Sequence, residues 1–451
     1  MSRLKGFSGY FILLDNFAQA VGSFLSVVII VRIGVIQTMV LGSLLCSPYV
    51  LYLVAPDLKC AFYCEYDPNE YILDEWFITF SFIYFSFING IGQGITVCGI
   101  LVYTGQCATP NKRGLFFSIS WAVYMLSHVV GNIVAVFLLS QMDVINYVFL
   151  LAFIQLCGCF VFLTLRLPDK YVIGSSINYS FVDLVQESDK TTEDIYSTHN
   201  VSSISKPQQA DISHSKEIVT PRITREIVEL EQRQKQSQGI SDNSYTSSKH
   251  LIWLMWKQLT SKKLLIFLPY VCWSAITIGF TKIGVDKAII NQQETGHTNI
   301  TDIFIYQQRV LLPMSIGEIF GAFTIGVISD YFPIRTQMIF HMFIILITIL
   351  FTLGFVFLDS SFQILSYFMS FFWGFVDGQA NVHAQILYAF NSEDLVISFA
   401  MFNLLQTFVG VAVQAIQDFT LNEPISYAIY IASITIFGLI SCSIIIKAYN
   451  K

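Results

Sequence analysis

The chain has 451 residues, of which 54% are hydrophobic, 15% aromatic and only 12% charged, with a mean hydropathy of +0.61. Soluble domains carry about 25% charge, so this composition excludes a soluble fold and indicates an all-α, multi-pass membrane protein; nothing in it points to nucleic acid. The formal net charge of −6 decides little, because charge is sorted by compartment: 24 of the charged residues lie between Asp169 and Lys263.

The amino end, Met1 to Tyr10, is too short for a cleavable signal and leads straight into an apolar run. A span needs about 20 mostly apolar residues. Five such runs are read in a first half, at about 9–31, 34–55, 77–103, 115–139 and 144–165. Asp15 stands inside the first of them. The loop after the second is acidic, with Asp57, Glu65, Asp67, Glu70, Asp74 and Glu75. It also holds Cys60 and Cys64, which form either a disulfide or two free thiols. At 100° per residue, Asn89, Gly92, Gln93, Thr96 and Tyr103 share a face of the third run. Trp121, Tyr124, His128, Gly131 and Asn132 share one of the fourth. The fifth run is apolar nearly all round.

Residues 168–262 are rich in Ser, Thr, Gln, Lys and Glu. Such a segment cannot bury a core and reads as a disordered cytosolic linker with short amphipathic helices. One helix is expected after Pro221. A second, with Trp253, Trp256, Lys257, Lys262 and Lys263, reads as an interfacial lead into the next span. The domain reading is therefore 1–167, a transmembrane half; 168–262, the linker; and 263–451, a second transmembrane half.

Six runs follow the linker, at about 264–283, 306–329, 338–357, 362–390, 396–417 and 426–447. The loop before 306 carries the sequon Asn299-Ile-Thr301, an acceptor for N-glycosylation if that side is external. In 362–390, Gly374, Asp377, Gly378, Asn381 and Gln385 share a face. In 396–417, Asn403, Gln406, Thr407, Gly410, Gln414 and Gln417 do so. The runs 338–357 and 426–447 are plain. The stretch Gly317 to Arg335, GEIFGAFTIGVISDYFPIR, joins two spans by a tight turn. Its small residues let a neighbouring helix approach, and Asp330 and Arg335 can pair with the ends of other helices. The Gly-x-x-x-Asp pattern with a following base resembles the turn that joins two helices in each half of major facilitator superfamily carriers. It departs from that pattern at Pro333 and Ile334.

Lys and Arg set the orientation. With Arg32, Lys112, Arg113, Arg166, Arg335, Lys447 and the linker on the cytosolic side, the acidic loop is external or lumenal. Eleven spans divide as five plus six, where a parallel repeat of six plus six is expected. Eleven spans place the amino terminus outside with Arg3 and Lys5, so either a short tail is translocated against the rule or a first helix is missing. With a first helix missing, the striped helices hold the fourth and fifth places of each half, with their polar faces turned to a central cleft.

Gly90-Ile-Gly-Gln-Gly-Ile, Tyr103 to Ala108 (YTGQCA), Lys112-Arg-Gly-Leu-Phe-Phe and Ser127-His-Val-Val-Gly-Asn132 resemble the first-half signature of the uncoordinated-93 (Unc-93-like) family. Trp373-Gly-Phe-Val-Asp-Gly-Gln-Ala-Asn381, Gln385, Phe399, Phe402 and Gln406 resemble its penultimate pair of helices. The resemblance implies a major-facilitator-like fold and a non-enzymatic accessory protein that regulates or escorts an ion channel or another membrane protein. The alternative is a secondary transporter of a small neutral or cationic solute. The cleft- or partner-facing candidates are Asp377, Asn381, Gln385, Gly374, Asn89, Gln93, His128, Asn132, Asn403 and Gln406. Asp330 and Arg335 form the candidate conformational turn. Asp377 stands out, because a carboxylate at membrane depth is costly and marks a proton relay, a cation site or a partner contact. Glu318 reads as part of a helix-packing motif. No metal, cofactor or catalytic pattern rises from the sequence. The expected setting is the plasma membrane or an endomembrane.

Overall fold

The computed structural model describes residues 8–52, 75–139, 141–142, 144–166, 248–281, 300–357, 363–391, 394–420 and 424–449. Among them the regular structure is helical throughout. In the bilayer every backbone polar group must find its partner within the protein, and a helix does this segment by segment. The first group is α1 (Ser8–Ile33), α2 (Val35–Tyr52), α3 (Glu75–Cys107), α4 (Arg113–Leu139) and α5 (Val144–Phe162). α6 (Ser248–Leu259) comes next in the sequence. The second group is α7 (Lys262–Gly279), α8 (Ile300–Tyr331), α9 (Ile334–Phe357), α10 (Gln363–Phe390), α11 (Leu395–Thr420) and α12 (Pro424–Tyr449). The chain divides into two compact units, Met1–Ile177 with Lys257–Lys451, and Asn178–Trp256.

All eleven expected spans form helices. Eight of them are long and apolar enough to cross a membrane. α10 is not among these, because Asp377, Gln379, Asn381, His383 and Gln385 lower its hydropathy. Within the expected linker, Ser248–Leu259 is helical; the helix after Pro221 lies outside the described residues. So do Cys60, Cys64 and Asn299. The turn between α1 and α2 is made by Gly34, whose φ of 87° suits a residue without a Cβ. The corresponding turn between α8 and α9 uses Phe332 and Pro333, and Gln337 Nε2 donates to the Phe332 carbonyl at 2.7 Å.

An internal repeat relates the two groups. α1 packs on α3 as α8 packs on α10, and α2 packs on α3 and α5 as α9 packs on α10 and α12. Small residues make the first of these pairs close. A Cβ at Gly22 would overlap the Ile91 carbonyl, one at Gly90 the Asp15 carbonyl, and one at Gly94 the Gln19 carbonyl. In the second group the same contacts are Gly321 on Phe375, Gly374 on Met314, and Gly378 on Glu318. The register is identical, so Gln19 and Glu318 hold matching places, as do Gln93 and Asp377, each one residue before its packing glycine. α4 and α11 then match, and each crosses to the opposite group: α4 lies on α8, and α11 on α1. α7 packs on α10, α11 and α12 and has no counterpart among the described residues of the first group.

The back of α10 is pinned by a buried polar network. Trp273 Nε1 donates to His341 Nε2 at 3.0 Å, and His341 Nδ1 meets Gln379 Oε1 at 3.0 Å. An indole can only donate and a carbonyl oxygen only accept, so His341 carries its proton on Nδ1. Tyr270 and His383 are also in contact at 3.4 Å, and Trp373 Nε1 donates to Thr352 Oγ1 at 2.8 Å. These side chains are all buried.

Candidate functional site

The two groups touch most closely at the end that carries Arg32, Lys112, Arg113, Arg166 and Arg335. There the last turn of α8 reaches the first turn of α4. Asp330 accepts the Gly114 N–H on Oδ1 at 2.7 Å and the Leu115 N–H on Oδ2 at 2.9 Å. Four N–H groups at a helix start lack partners within the helix, and the helix dipole favours a negative charge there. Asp330 therefore caps a helix of the other group. The approach is permitted by Gly114 and Gly326, since a Cβ on Gly114 would overlap the Gly326 carbonyl and one on Gly326 the Ser118 hydroxyl. The Phe117 and Phe399 rings meet at 5.6 Å between centroids, and Leu395 and Phe399 press on Gly105. Arg335 is exposed, so of the two turn residues it is Asp330 that engages the other group.

Beyond this seal lies a cavity of about 290 Å³. α4 supplies Trp121, Tyr124 and His128; α8 supplies Met314, Ser315 and Glu318; and α10 supplies Asp377 and Gln385. α11 adds Asn403, Gln406, Thr407, Gly410 and Gln414, and α1 adds Asn16 and Gln19. Apolar floor comes from α3 and α7, for instance Val97, Leu101 and Ala275. Two amide links tie α1 to α11 along one wall: Asn16 Nδ2 donates to Gln414 Oε1 at 2.7 Å, and Asn403 Nδ2 to Ser23 Oγ at 2.6 Å.

Asp377 is 2% exposed and Glu318 4%. Their backbones meet where Gly378 packs on the Glu318 carbonyl, so both carboxylates leave one contact point between α8 and α10. Asn381 Nδ2 donates to Asp377 Oδ1 at 2.9 Å, and Asn381 Oδ1 accepts from Gln406 Nε2 at 2.6 Å. Gln406 Nε2 also reaches Ser274 Oγ at 3.2 Å. This chain fixes both amides: Asn381 aims its donor at the acid, and Gln406 donates to Asn381. Along α4 the rings form a ladder: Trp121 to Tyr124 at 5.8 Å, then Tyr124 to His128 at 5.1 Å, both edge-on.

The structure thus brings Asp377, Gln385, His128, Asn403 and Gln406 to one cavity, with Asn381 directly behind Asp377. Four sequence candidates fall elsewhere. Gly374 is a packing residue against Met314. Asn89 is buried between helices and donates to Asp15 Oδ1 at 2.9 Å. Gln93 and Asn132 are half-buried and outside the lining. The polar stripe of α3 therefore serves packing: Gly92 sits on Gly42 of α2, and the face that α3 shows to the cavity is apolar. Sequence reasoning missed Asn16 and Gln19 as lining residues and favoured a structural, helix-packing role for Glu318.

A family model described as Major Facilitator Superfamily matches residues 6–415. No curated protein sequence matches the chain. Among solved structures, a proton:xylose symporter bound to 6-bromo-6-deoxy-D-glucose aligns with 98% of this chain and 86% of its own, at 13% identity and a TM-score of 0.61. A bacterial homologue of the iron transporter ferroportin, in an outward-facing state with soaked iron, aligns with 98% and 90%, at 9% identity and a TM-score of 0.59. The E. coli fucose:proton symporter aligns with 97% and 92%, at 10% identity and a TM-score of 0.54. At these identities the likeness concerns the fold.

Proposed function

The chain belongs to the major facilitator superfamily, and from that premise we propose that it is a secondary transporter, carrying a small solute through the cavity between its two helix groups. One observation carries this reading. A cavity lined by carboxylates, amides and aromatic rings lies between helices of both groups and is sealed at the basic end by contacts that also run between the groups. Sliding or rocking one group on the other would open that seal, which is the motion alternating access requires. The Asp330 cap is then the latch of the state seen here. The solute carriers among the structural neighbours support the same reading.

The accessory role that the Unc-93 resemblance implies takes second place. Regulation or escort of an ion channel needs a partner surface, and it makes no use of a polar cavity in the middle of the membrane. The test is solute counterflow into liposomes bearing the purified full-length protein, loaded in turn with pools of sugars, amines, carboxylates and metal ions. Saturable exchange with one pool, reduced by Asp377→Asn while the protein still folds, supports transport. No exchange with any pool, together with a membrane protein recovered by affinity purification from native membranes, would return the accessory role to first place.

A further inference from the structure

The internal repeat leaves one place unfilled among the described residues. α7 packs on α10, α11 and α12, and the matching helices of the first group are α3, α4 and α5. Counted from their first residues, Arg113 and Leu395, α4 and α11 set Tyr124 level with Gln406 and Gly131 level with Val413. Counted from Val144 and Pro424, α5 and α12 set Tyr147 level with Tyr427, Ile154 with Ile434, Gly158 with Gly438 and Val161 with Ser441.

In the second group these positions hold α7. Gln406 Nε2 donates to Ser274 Oγ at 3.2 Å, and Ser441 Oγ to the Pro269 carbonyl at 3.1 Å. A Cβ on Gly438 would press on the Trp273 ring, and one on Gly279 would press on Val413. In the first group the same positions are open. Ile154 is 52% exposed where Ile434 is 6%, and Val161 is 60% exposed where Ser441 is 0%. Tyr147 is half-buried where Tyr427 is buried. A Cβ on Gly131 or Gly158 would meet no described atom within 4 Å. Faces turned to lipid behave differently, because there the two groups agree: Leu126 and its match Phe408 are both exposed. The difference is therefore confined to the face that α7 covers.

Complementarity specifies the helix that fits. Gly158 repeats the recess that takes the Trp273 ring, so the occupant carries an aromatic side chain at that level. The next residue is small and polar, as Ser274 is, to meet Tyr124. Gly131 stands where Val413 stands, so at the level of Gly279, six residues after Trp273, a large aliphatic side chain is needed to close the gap. All eleven apolar runs of the 451 residues are already placed in the two groups, so the occupant is a separate helix. We propose that the face formed by α3, α4 and α5 binds the transmembrane helix of a partner membrane protein with this pattern: an aromatic residue, a small polar residue after it and a large aliphatic residue six places on. Seated there, it gives the first group the wall that Ala275 and Ile278 of α7 give the second, beside Tyr124 and His128. The assignment holds whatever solute the cavity carries.

The probe is a synthetic peptide with the sequence of residues 262–281 carrying Gly279→Leu, labelled at its amino end. It is reconstituted into liposomes with the purified full chain, which bears a second dye at the exposed Asn111. The expected result is saturable energy transfer, absent for a peptide that also carries Trp273→Ala. Gly158→Leu and Gly131→Leu in the full chain should each weaken the association about tenfold or more. Their melting temperatures should be no lower than that of the unaltered protein, because a side chain added at either glycine enters open space. No saturable transfer, or transfer that both glycine variants leave unchanged, would mean that the face lies against lipid, and the proposal falls. A dimer of the unaltered chain that Gly158→Leu separates would make a second copy the occupant. A native protein whose intact mass includes a further apolar helix joined ahead of α1 would fill the face from the same polypeptide. Either result overturns the partner assignment. None of these readouts involves solute counterflow, so their failure leaves the transporter reading standing.

Discussion

Asp330→Asn tests the latch. In the state described, one carboxylate accepts two backbone N–H groups of the opposing helix group, at 2.7 and 2.9 Å. Hydrogen bonds to a charged group contribute about 1.5–3 kcal/mol each, and a charge at a partly buried helix start contributes up to about 2 kcal/mol. Asparagine keeps one carbonyl acceptor, places an NH₂ group against the second N–H and removes the charge. Asp330 is half-buried, so solvent screens part of the effect. The net loss to the sealed state is about 1–2 kcal/mol, a shift of roughly 5- to 30-fold in the balance between sealed and open forms at the basic end. The measurement is single-molecule energy transfer between dyes at Asn111 and Thr336, both exposed, one on each side of the seal. The long-distance population should grow by that factor in Asp330→Asn and remain small in the unaltered protein. An unchanged distance distribution in a folded Asp330→Asn protein would refute the latch, and would mean that the Gly114–Gly326 and Phe117–Phe399 contacts hold the seal alone.

The other predictions address packing, the buried network and topology. Gly378→Ala and Gly94→Ala place a methyl group on matching backbone carbonyls of Glu318 and Gln19; each should cost about 1–3 kcal/mol and lower the melting temperature, and a variant as stable as the parent would contradict the repeat. His341→Phe leaves the Trp273 N–H and the Gln379 carbonyl unmet, at about 1–3 kcal/mol for each, so the melting temperature should fall while solute binding on the other face of α10 persists; loss of binding at unchanged stability would show that the network acts on the cavity. Asn299 should carry a glycan and Asn178 and Asn200 none, read by glycosidase-sensitive mass; a glycan lost with Asn200→Gln and kept with Asn299→Gln would invert the assigned orientation.

The helices were legible because lipid leaves little choice. An apolar run bounded by Pro, Gly or charge must be a helix of about the bilayer's thickness, and all eleven runs are helical. The faces were legible only in part. Helical periodicity tells which residues share a face and says nothing of what that face meets. On α10 and α11 the polar faces meet the cavity. On α3 the same signal, Asn89, Gly92, Gln93 and Thr96, belongs to a face that packs on neighbouring helices, because small and amide side chains are also the means of helix association in membranes. Glu318 was hidden by its neighbours: Gly317 and Gly321 pack on α10, while one residue's rotation, about 100°, turns Glu318 off that contact and toward the cavity. Gln19 carried no signal of its own. Aligning Gly22, Gly90 and Gly94 with Gly321, Gly374 and Gly378 would have located it, since the repeat places it opposite Glu318. The Asp330 cap joins residues that lie far apart in the chain, and only the turn pattern hinted at it.

The network behind α10 limits how the protein can change shape. Gln379 is hydrogen-bonded to His341 of α9 on one side of the helix, and Asn381 accepts from Gln406 of α11 on the other. A turn of α10 about its own axis by even one residue would break both sets at once. α10 is thus keyed like a shaft in a slot, together with α7 and α9. Shape change has to be taken up at the borders between the groups, at the Asn16–Gln414 and Asn403–Ser23 links and at the Asp330 cap, where a few side-chain hydrogen bonds can be exchanged without unpacking a core. The carboxylate at position 377 would then travel with its wall as a rigid fixture, meeting solvent from one side or the other without altering its own hydrogen-bonded surroundings.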